Sequence, residues 1–309
     1  MRVAITGSSG LVGTELRKRL PESGHEVVLV TRGERGSAPV VWQPDRGWIQ
    51  EGALEGCDAV VHLAGASIGE GRWTKRRKRE LHDSRIDSTR LLVDHLASLD
   101  AKPRVLVCAS AVGYYGNRGD EVLSEDAPPG EGFLKDLVEE WEREARRAEV
   151  LGIRVVSIRS SLVLSATDGA LPRMLLPFKL GVGGRLGSGR QWMPWIALTD
   201  EARAIEWAIG HEELSGPVNL ASPNPMRNSE FTKVLGRQLH RPTVFPAPRF
   251  GLRILLGQMA DELLLYSQRV APKKLMESGF TFEQPDVDAA LAVALAKLVQ
   301  SSSPLAHSV

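Results

Sequence analysis

Seven residues near the amino terminus constrain the fold more than any other feature of the chain: Gly7-Ser8-Ser9-Gly10-Leu11-Val12-Gly13. A GxxGxxG run is weak evidence in isolation. Here it follows a short apolar run, residues 3–6, and opens an amphipathic stretch, residues 11–19. That context predicts a strand, a tight turn and a helix whose start holds a dinucleotide pyrophosphate. Gly7 makes the turn, Gly10 lets backbone approach the phosphates, and Gly13 lets the helix close on the strand. The stretch Ser9, Gly10, Leu11, Val12 supplies unpaired N–H groups and the positive end of the helix dipole.

The rest of the chain repeats the alternation. Short apolar, β-branched runs occur at residues 26–31, 59–62, 105–109, 155–158 and 218–220. Between them, residues 86–99 and 134–148 carry apolar side chains at helical spacing. Such alternation predicts an α/β fold, a Rossmann-type doubly wound parallel sheet covered on both faces. The character changes after Pro223: prolines 242, 246 and 248 punctuate a loop, and residues 250–265 and 287–299 read as helices. The expected organisation is a dinucleotide-binding domain over residues 1–222, with a substrate-side loop near 180–196. A smaller, mostly helical C-terminal substrate or cap region follows over 223–299, then a flexible tail over 300–309. The apolar run Leu252-Arg253-Ile254-Leu255-Leu256 is too short to span a membrane and is expected to pack in the core.

Charge narrows the partners. The 309 residues carry a net charge of +1, which excludes an electrostatic case for nucleic acid or an anionic membrane. The basic run Lys75 to Arg79 reads as a solvated face preceding a helix. Cys57 and Cys108 each fall beside or inside an apolar run and read as buried thiols. With no signal-like start and no long apolar run, a cytoplasmic protein is expected. His62, His82 and His95 lack metal-ligand spacing, so no metal is expected.

The end of the second strand run selects the cofactor. A site for NAD usually places an acid there for the ribose hydroxyls. This chain reads Thr31-Arg32-Gly33, and a planar guanidinium with a neighbouring hydroxyl suits a 2′-phosphate instead. NADP(H) is therefore expected, with Arg35 near enough to help and Glu34 the nearby acid.

Further blocks resemble the extended short-chain dehydrogenase/reductase superfamily, and within it the YfcH-like epimerase-family proteins. They are residues 58–65 (DAVVHLAG), 110–116 (SAVGYYG), 187–196 (GSGRQWMPWI), 216–223 (GPVNLASP), and 267–275 (SQRVAPKKL) with Gly279-Phe280. The resemblance covers nearly the whole chain. It implies that Leu63 and Ala64 offer backbone to the cofactor, that Glu80 and Arg85 close over it, and that Val163 lines the nicotinamide side. It also implies a small-molecule substrate of the nucleotide-sugar kind and a homodimer packed through helices such as 86–99 and 134–148.

The superfamily's acid–base unit is a serine with a YxxxK pair, in which the lysine lowers the pKa of the tyrosine. The three tyrosines here, Tyr114, Tyr115 and Tyr266, are followed four residues on by Arg118, Gly119 and Val270, so no such pair exists. Lys135 stands at the lysine position, but its partner position is Glu131. The serine position falls on Ala111, with Ser110 one residue earlier. Three readings stay open: Tyr114 or Tyr115 donates a proton while Ser110 orients substrate; Glu131 is the base near Lys135; or the protein binds NADP(H) without catalysis, as a sensor or scaffold. On the substrate side, Arg185 and Arg190 in the glycine-rich loop are suited to grip an anion and Trp192 to stack on a base or sugar.

Overall fold

The structure is a computed structural model that describes residues 1–33 and 40–301. Glu34 and Arg35 lie outside the described residues, as does the tail beyond Ser301. The first half runs β1 (Arg2–Thr6), α1 (Leu11–Glu22), β2 (Glu26–Arg32), β3 (Val40–Gln43), β4 (Trp48–Ile49), β5 (Ala59–His62), α2 (Lys75–Ala97) and β6 (Val105–Ala111). It continues with β7 (Val122–Leu123), α3 (Phe133–Arg146), β8 (Arg154–Ser160), β9 (Leu162–Leu164), α4 (Leu171–Lys179), β10 (Trp192–Met193), β11 (Trp195–Ala197), α5 (Leu198–Gly210) and β12 (Gly216–Leu220). The remainder is β13 (Met226–Arg227), α6 (Asn228–Gln238), α7 (Arg249–Leu256), α8 (Gln258–Ala260), β14 (Arg269–Val270), α9 (Lys273–Glu277) and α10 (Val287–Ser301).

Eight strands form the main sheet in the order β12-β8-β6-β5-β1-β2-β3-β4. All pairings are parallel except β3 with β4. Helices α2 and α3 pack one face around Val60, Leu106 and Trp141. Helices α1 and α5 cover the other around Ile5, Val61 and Ile205. The strand order reverses between β1 and β5, and a doubly wound sheet opens a ligand crevice at the carboxyl ends of its strands there.

Several expectations shift. The sheet gains β3 and β4 beyond β2, with Trp42 buried. The basic run does not precede α2; it forms the first turns of that helix, because Thr74 caps the backbone N–H of Arg77 at 3.2 Å. The expected helix over 250–265 breaks at Gly257, whose φ is +65°, into α7, α8 and a π-helical turn at Asp261–Leu265. The core role expected for the run 252–256 is also corrected. Phe250, Ile254 and Leu255 are exposed, so α7 turns its apolar face outward, while Leu256 packs against the core beneath α2 and α3. Helix α10 runs through Ser301, past the expected boundary at 299.

A second apolar core lies off the main sheet, built from Leu171, Leu175 and Trp195 together with Phe231, Leu235 and Leu291. It joins α4 and one face of β9 and β11 to α6 and α10, while Val163 and Ile196 keep the other face of those two strands on the core of the main sheet. No described helix is long and apolar enough to cross a membrane. Cys57 and Cys108 are buried free thiols.

Candidate nucleotide-binding and catalytic site

The glycine turn sits at the sheet's switch point. A Cβ on Gly7 would lie 2.7 Å from the Leu63 carbonyl and 2.8 Å from Ala64 N. One on Gly13 would lie 2.4 Å from the Gly7 carbonyl oxygen. Only bare backbone allows β1, α1 and the turn after β5 to approach this closely. Gly7 also has φ +67°, the left-handed region that favours glycine. Ser9 and Gly10 are exposed at the mouth, with Leu11 and Val12 half-buried behind them. Neither the Gly10 N-cap nor an acid in the first turn answers the N–H groups at this end of α1.

Thr31 and Arg32 end β2 beside this turn. Thr31 Oγ1 donates to the Val40 carbonyl at 3.4 Å. Arg32 is exposed and has no ion-pair partner among the described residues. On the other flank, Arg85 donates to the carbonyls of Ala66 (2.9 Å) and Leu81 (3.1 Å), pinning the turn after β5. Burial, with Arg77 nearby, lowers its pKa to about 10. Glu80 is exposed and paired with Arg77 at 2.7 Å. Val163 is half-buried in β9, against the core on the α1 side of the sheet.

The five expected acid–base residues do not form one constellation. Ser110 is buried, and its hydroxyl donates to Glu142 Oε1 at 2.6 Å. Tyr115 is fully buried, donates to Asn219 Oδ1 at 2.7 Å and accepts from Arg159 at 3.0 Å. Burial pushes its phenol up to about 12. Lys135 turns to Glu139 (2.8 Å) and Asp136 (3.4 Å) rather than to Glu131. Two groups keep a polar end without a hydrogen-bond partner among the described residues. Tyr114 stacks its ring on Arg159, 3.6 Å from the guanidinium carbon, and its hydroxyl has no partner among the described residues. Glu131 is exposed just ahead of α3.

The C-terminal region supplies residues that sequence reasoning missed. Glu262 accepts from Phe133 N (3.1 Å) and Leu134 N (2.8 Å), capping α3 from 128 residues away. Glu262 also faces Gly132, where a Cβ would lie 3.0 Å from the carboxylate. Tyr266 stands near Glu131; burial first, then Glu262, Asp261 and Glu131, raise its pKa. Arg173 of α4 donates to the Gly69 carbonyl, tying the second core to the loop after β5. The substrate-loop arginines Arg185 and Arg190 are exposed, Arg185 donating to the Ser188 carbonyl at 2.7 Å. Trp192 is not a free platform: Arg227 and Arg269 lie 4.6 and 4.7 Å from its ring, and its Nε1 donates to Asp120 at 2.7 Å. Among the described residues, no group of three His, Cys, Asp or Glu side chains could hold a metal ion.

Residues 3–221 match the family described as NAD dependent epimerase/dehydratase. The chain belongs to that family. Residues 247–294 match a second family, a domain of unknown function designated DUF1731. The epimerase family protein Mb2239 of Mycobacterium bovis is 45% identical over 94% of this chain and 97% of its own length. YfhF of Bacillus subtilis, also an epimerase family protein, is 38% identical over 96% of this chain and 98% of its own length. Among solved structures, human epimerase family protein SDR39U1 (isoform 2) with NADPH superposes with a TM-score of 0.87 at 32% identity, covering 96% of this chain and 99% of that one. The chain is thus an epimerase family protein of the extended short-chain dehydrogenase/reductase type, with a small C-terminal domain. A nucleoside-diphosphate sugar epimerase from Corynebacterium glutamicum superposes with a TM-score of 0.77 at 35% identity, over 97% of this chain and 60% of that one.

Proposed function

We propose that this protein is an NADP(H)-dependent oxidoreductase or epimerase-like enzyme acting on a small polar substrate, without the superfamily's tyrosine–lysine unit. The observation that carries the reading is Arg32, exposed and without an ion-pair partner among the described residues, at the end of β2 beside a turn that admits only glycine. A guanidinium there suits a 2′-phosphate, and the start of α1 suits the pyrophosphate. The human relative of known structure holds NADPH, which supports the same reading here.

When bound, the nicotinamide supplies or accepts a hydride. The protein must then give a proton to the substrate oxygen or remove one. Ser110, Tyr115 and Lys135 have their polar atoms committed elsewhere. Glu131 stands where the superfamily has its tyrosine and keeps a carboxylate free at the head of α3, so we assign the proton transfer to it. Arg185 and Arg190 fit an anionic group such as the diphosphate of a nucleotide sugar.

The test is consumption of NADPH by the purified protein over a panel of aldehydes, ketones and oxidised UDP-sugars. Turnover that falls about a hundredfold in Glu131→Gln, with NADPH affinity unchanged, supports the assignment. NADPH that binds but stays reduced across the panel contradicts an enzyme. It would favour the second reading, a non-catalytic NADP(H)-binding sensor, for which the locked hydroxyls of Ser110 and Tyr115 speak.

A further inference from the structure

Helices α4 and α7 lie along opposite sides of an opening beside the glycine turn, tied together at both ends. The loop after β5 closes one end. Its Gly69 carbonyl accepts from Arg173 of α4, and its Arg72 guanidinium lies 3.2 Å from the place a Cβ would take on Gly257, where α7 stops. The loop after α4 closes the other end. Val182 N donates back to the Pro177 carbonyl at 2.9 Å, and Gly187 N donates to the Ala247 carbonyl at 2.8 Å, just ahead of α7. The opening borders the site already described. A Cβ on Gly169 would lie 3.2 Å from Leu11, at the start of α1, and one on Gly187 would lie 3.2 Å from Leu265, the neighbour of Tyr266.

The two helices share no buried core. α4 packs into the second core through Leu171, Leu175 and Phe178, whereas α7 buries no residue fully and meets the main core through Leu256. What they leave outward is apolar. Leu176 and Leu180 continue the stripe of α4 that begins at Arg173, and Phe250 and Ile254 run down α7 toward Gly257 with Leu255 beside them. These five side chains are 59% to 73% exposed. Between them they leave about 600 Å² of apolar surface, the upper end of the largest patch on an ordinary monomer. The rim is cationic: Arg72, Lys179, Arg185, Arg190 and Arg249 are exposed and have no ion-pair partner among the described residues.

We propose that the opening between α4 and α7 binds an anionic amphiphile, its apolar chain against the two helices and its anionic head among the rim cations. The inference rests on the proposed function in one respect: the amphiphile is the substrate, and its polar head is the end that reaches the crevice. Charge selects this occupant. A second copy of the chain would bring the same cations against these, and an uncharged apolar partner would leave them unanswered. Anion and chain in one molecule answer both the rim and the walls. The eight residues of α7 span about 12 Å, which sets the chain at roughly ten carbons.

The test is calorimetry on the full chain with decyl phosphate below its micellar concentration, with ethyl phosphate and decyltrimethylammonium as controls for head and chain. The expected result is saturable binding of decyl phosphate, at least about a hundredfold tighter than ethyl phosphate and about tenfold tighter than decyltrimethylammonium. Leu176→Asn and Ile254→Asn, one on each wall, are each expected to lose about tenfold, with NADPH affinity unchanged. Both positions are exposed, so both variants fold, and Val150→Asn, on an exposed apolar side chain past the end of α3, is expected to bind as wild type does. Decyl phosphate no tighter than either control, or wild-type affinity in either wall variant, overturns the proposal. So does binding to phosphatidylglycerol vesicles without saturable binding of decyl phosphate, which would make this face a membrane contact. Binding is read without turnover, so the two readings fail separately. NADPH consumed with no decyl phosphate bound sinks this inference alone, and decyl phosphate bound with no affinity for NADPH sinks the cofactor reading alone.

Discussion

Arg159 grips both carboxylate oxygens of Glu142, at 2.8 and 2.9 Å, with 3% and 6% of the two side chains exposed. This pair links β8 to α3 inside the domain, and Ser110 and Tyr115 both hydrogen-bond to it. Removing one partner strands a buried charge, so Arg159→Leu is expected to cost about 3 to 5 kcal/mol in urea unfolding. The double variant Arg159→Leu/Glu142→Leu is expected to be less destabilised than the single variants summed. Equal additivity would show that the pair is not a coupled unit.

Tyr115→Phe separates a structural hydroxyl from a catalytic one. It leaves Asn219 Oδ1 and one Arg159 N–H without their partner, at an expected cost of about 1 to 3 kcal/mol. Turnover on any substrate found, and NADPH affinity, are expected to hold once the variant is assayed well below its lowered Tm. A drop in kcat with stability unchanged would return Tyr115 to the reaction.

Two buried groups tie stability to pH with opposite signs. His62 is fully buried between Thr6 Oγ1 (2.7 Å) and Thr89 Oγ1 (3.1 Å), and burial lowers its pKa from 6.5 to about 4. The unfolded chain therefore takes up a proton before the folded one does. Stability is full above about pH 6.5 and declines toward pH 4, by about 3 kcal/mol, and His62→Gln is expected to flatten that decline. Glu201 behaves in reverse: burial raises it from 4.5 to about 8, so the folded protein holds a proton that the unfolded chain has released. Its contribution is present below about pH 4.5 and is lost as pH rises through 8. Glu201→Gln is expected to melt above wild type at pH 9 and to lose that advantage at pH 5. Parallel melting curves for wild type and variant across this range would contradict the shift.

The site was legible where the chemistry is local. Gly7, Gly10 and Gly13 announce their turn because strand, turn and helix are contiguous, and Arg32 follows from where β2 ends. Arg159 and Glu142 carry a local signal in the sequence: a cation inside a β-branched strand, and an acid on the apolar stripe of α3 beside Val138 and Trp141. Glu262 left none, because the helix end it caps lies 128 residues away. The bond from Ser110 to Glu142 is not legible in the sequence, because register, not position, decides which face of β6 a side chain meets, and here the hydroxyl meets α3. The same limit explains α7. Periodicity marks an apolar face at Phe250, Ile254 and Leu255 but does not say whether anything covers it. Strand β3 was too short a run to stand out against the Trp42–Ile49 neighbourhood.

The most direct test is calorimetric titration of wild type and Arg32→Ala with NADPH and NADH. The expected result is a preference of wild type for NADPH by at least about tenfold, with Arg32→Ala binding the two alike. Equal affinity of wild type for NADPH and NADH, or an Arg32→Ala variant that keeps the preference, would contradict the assignment of the 2′-phosphate to Arg32.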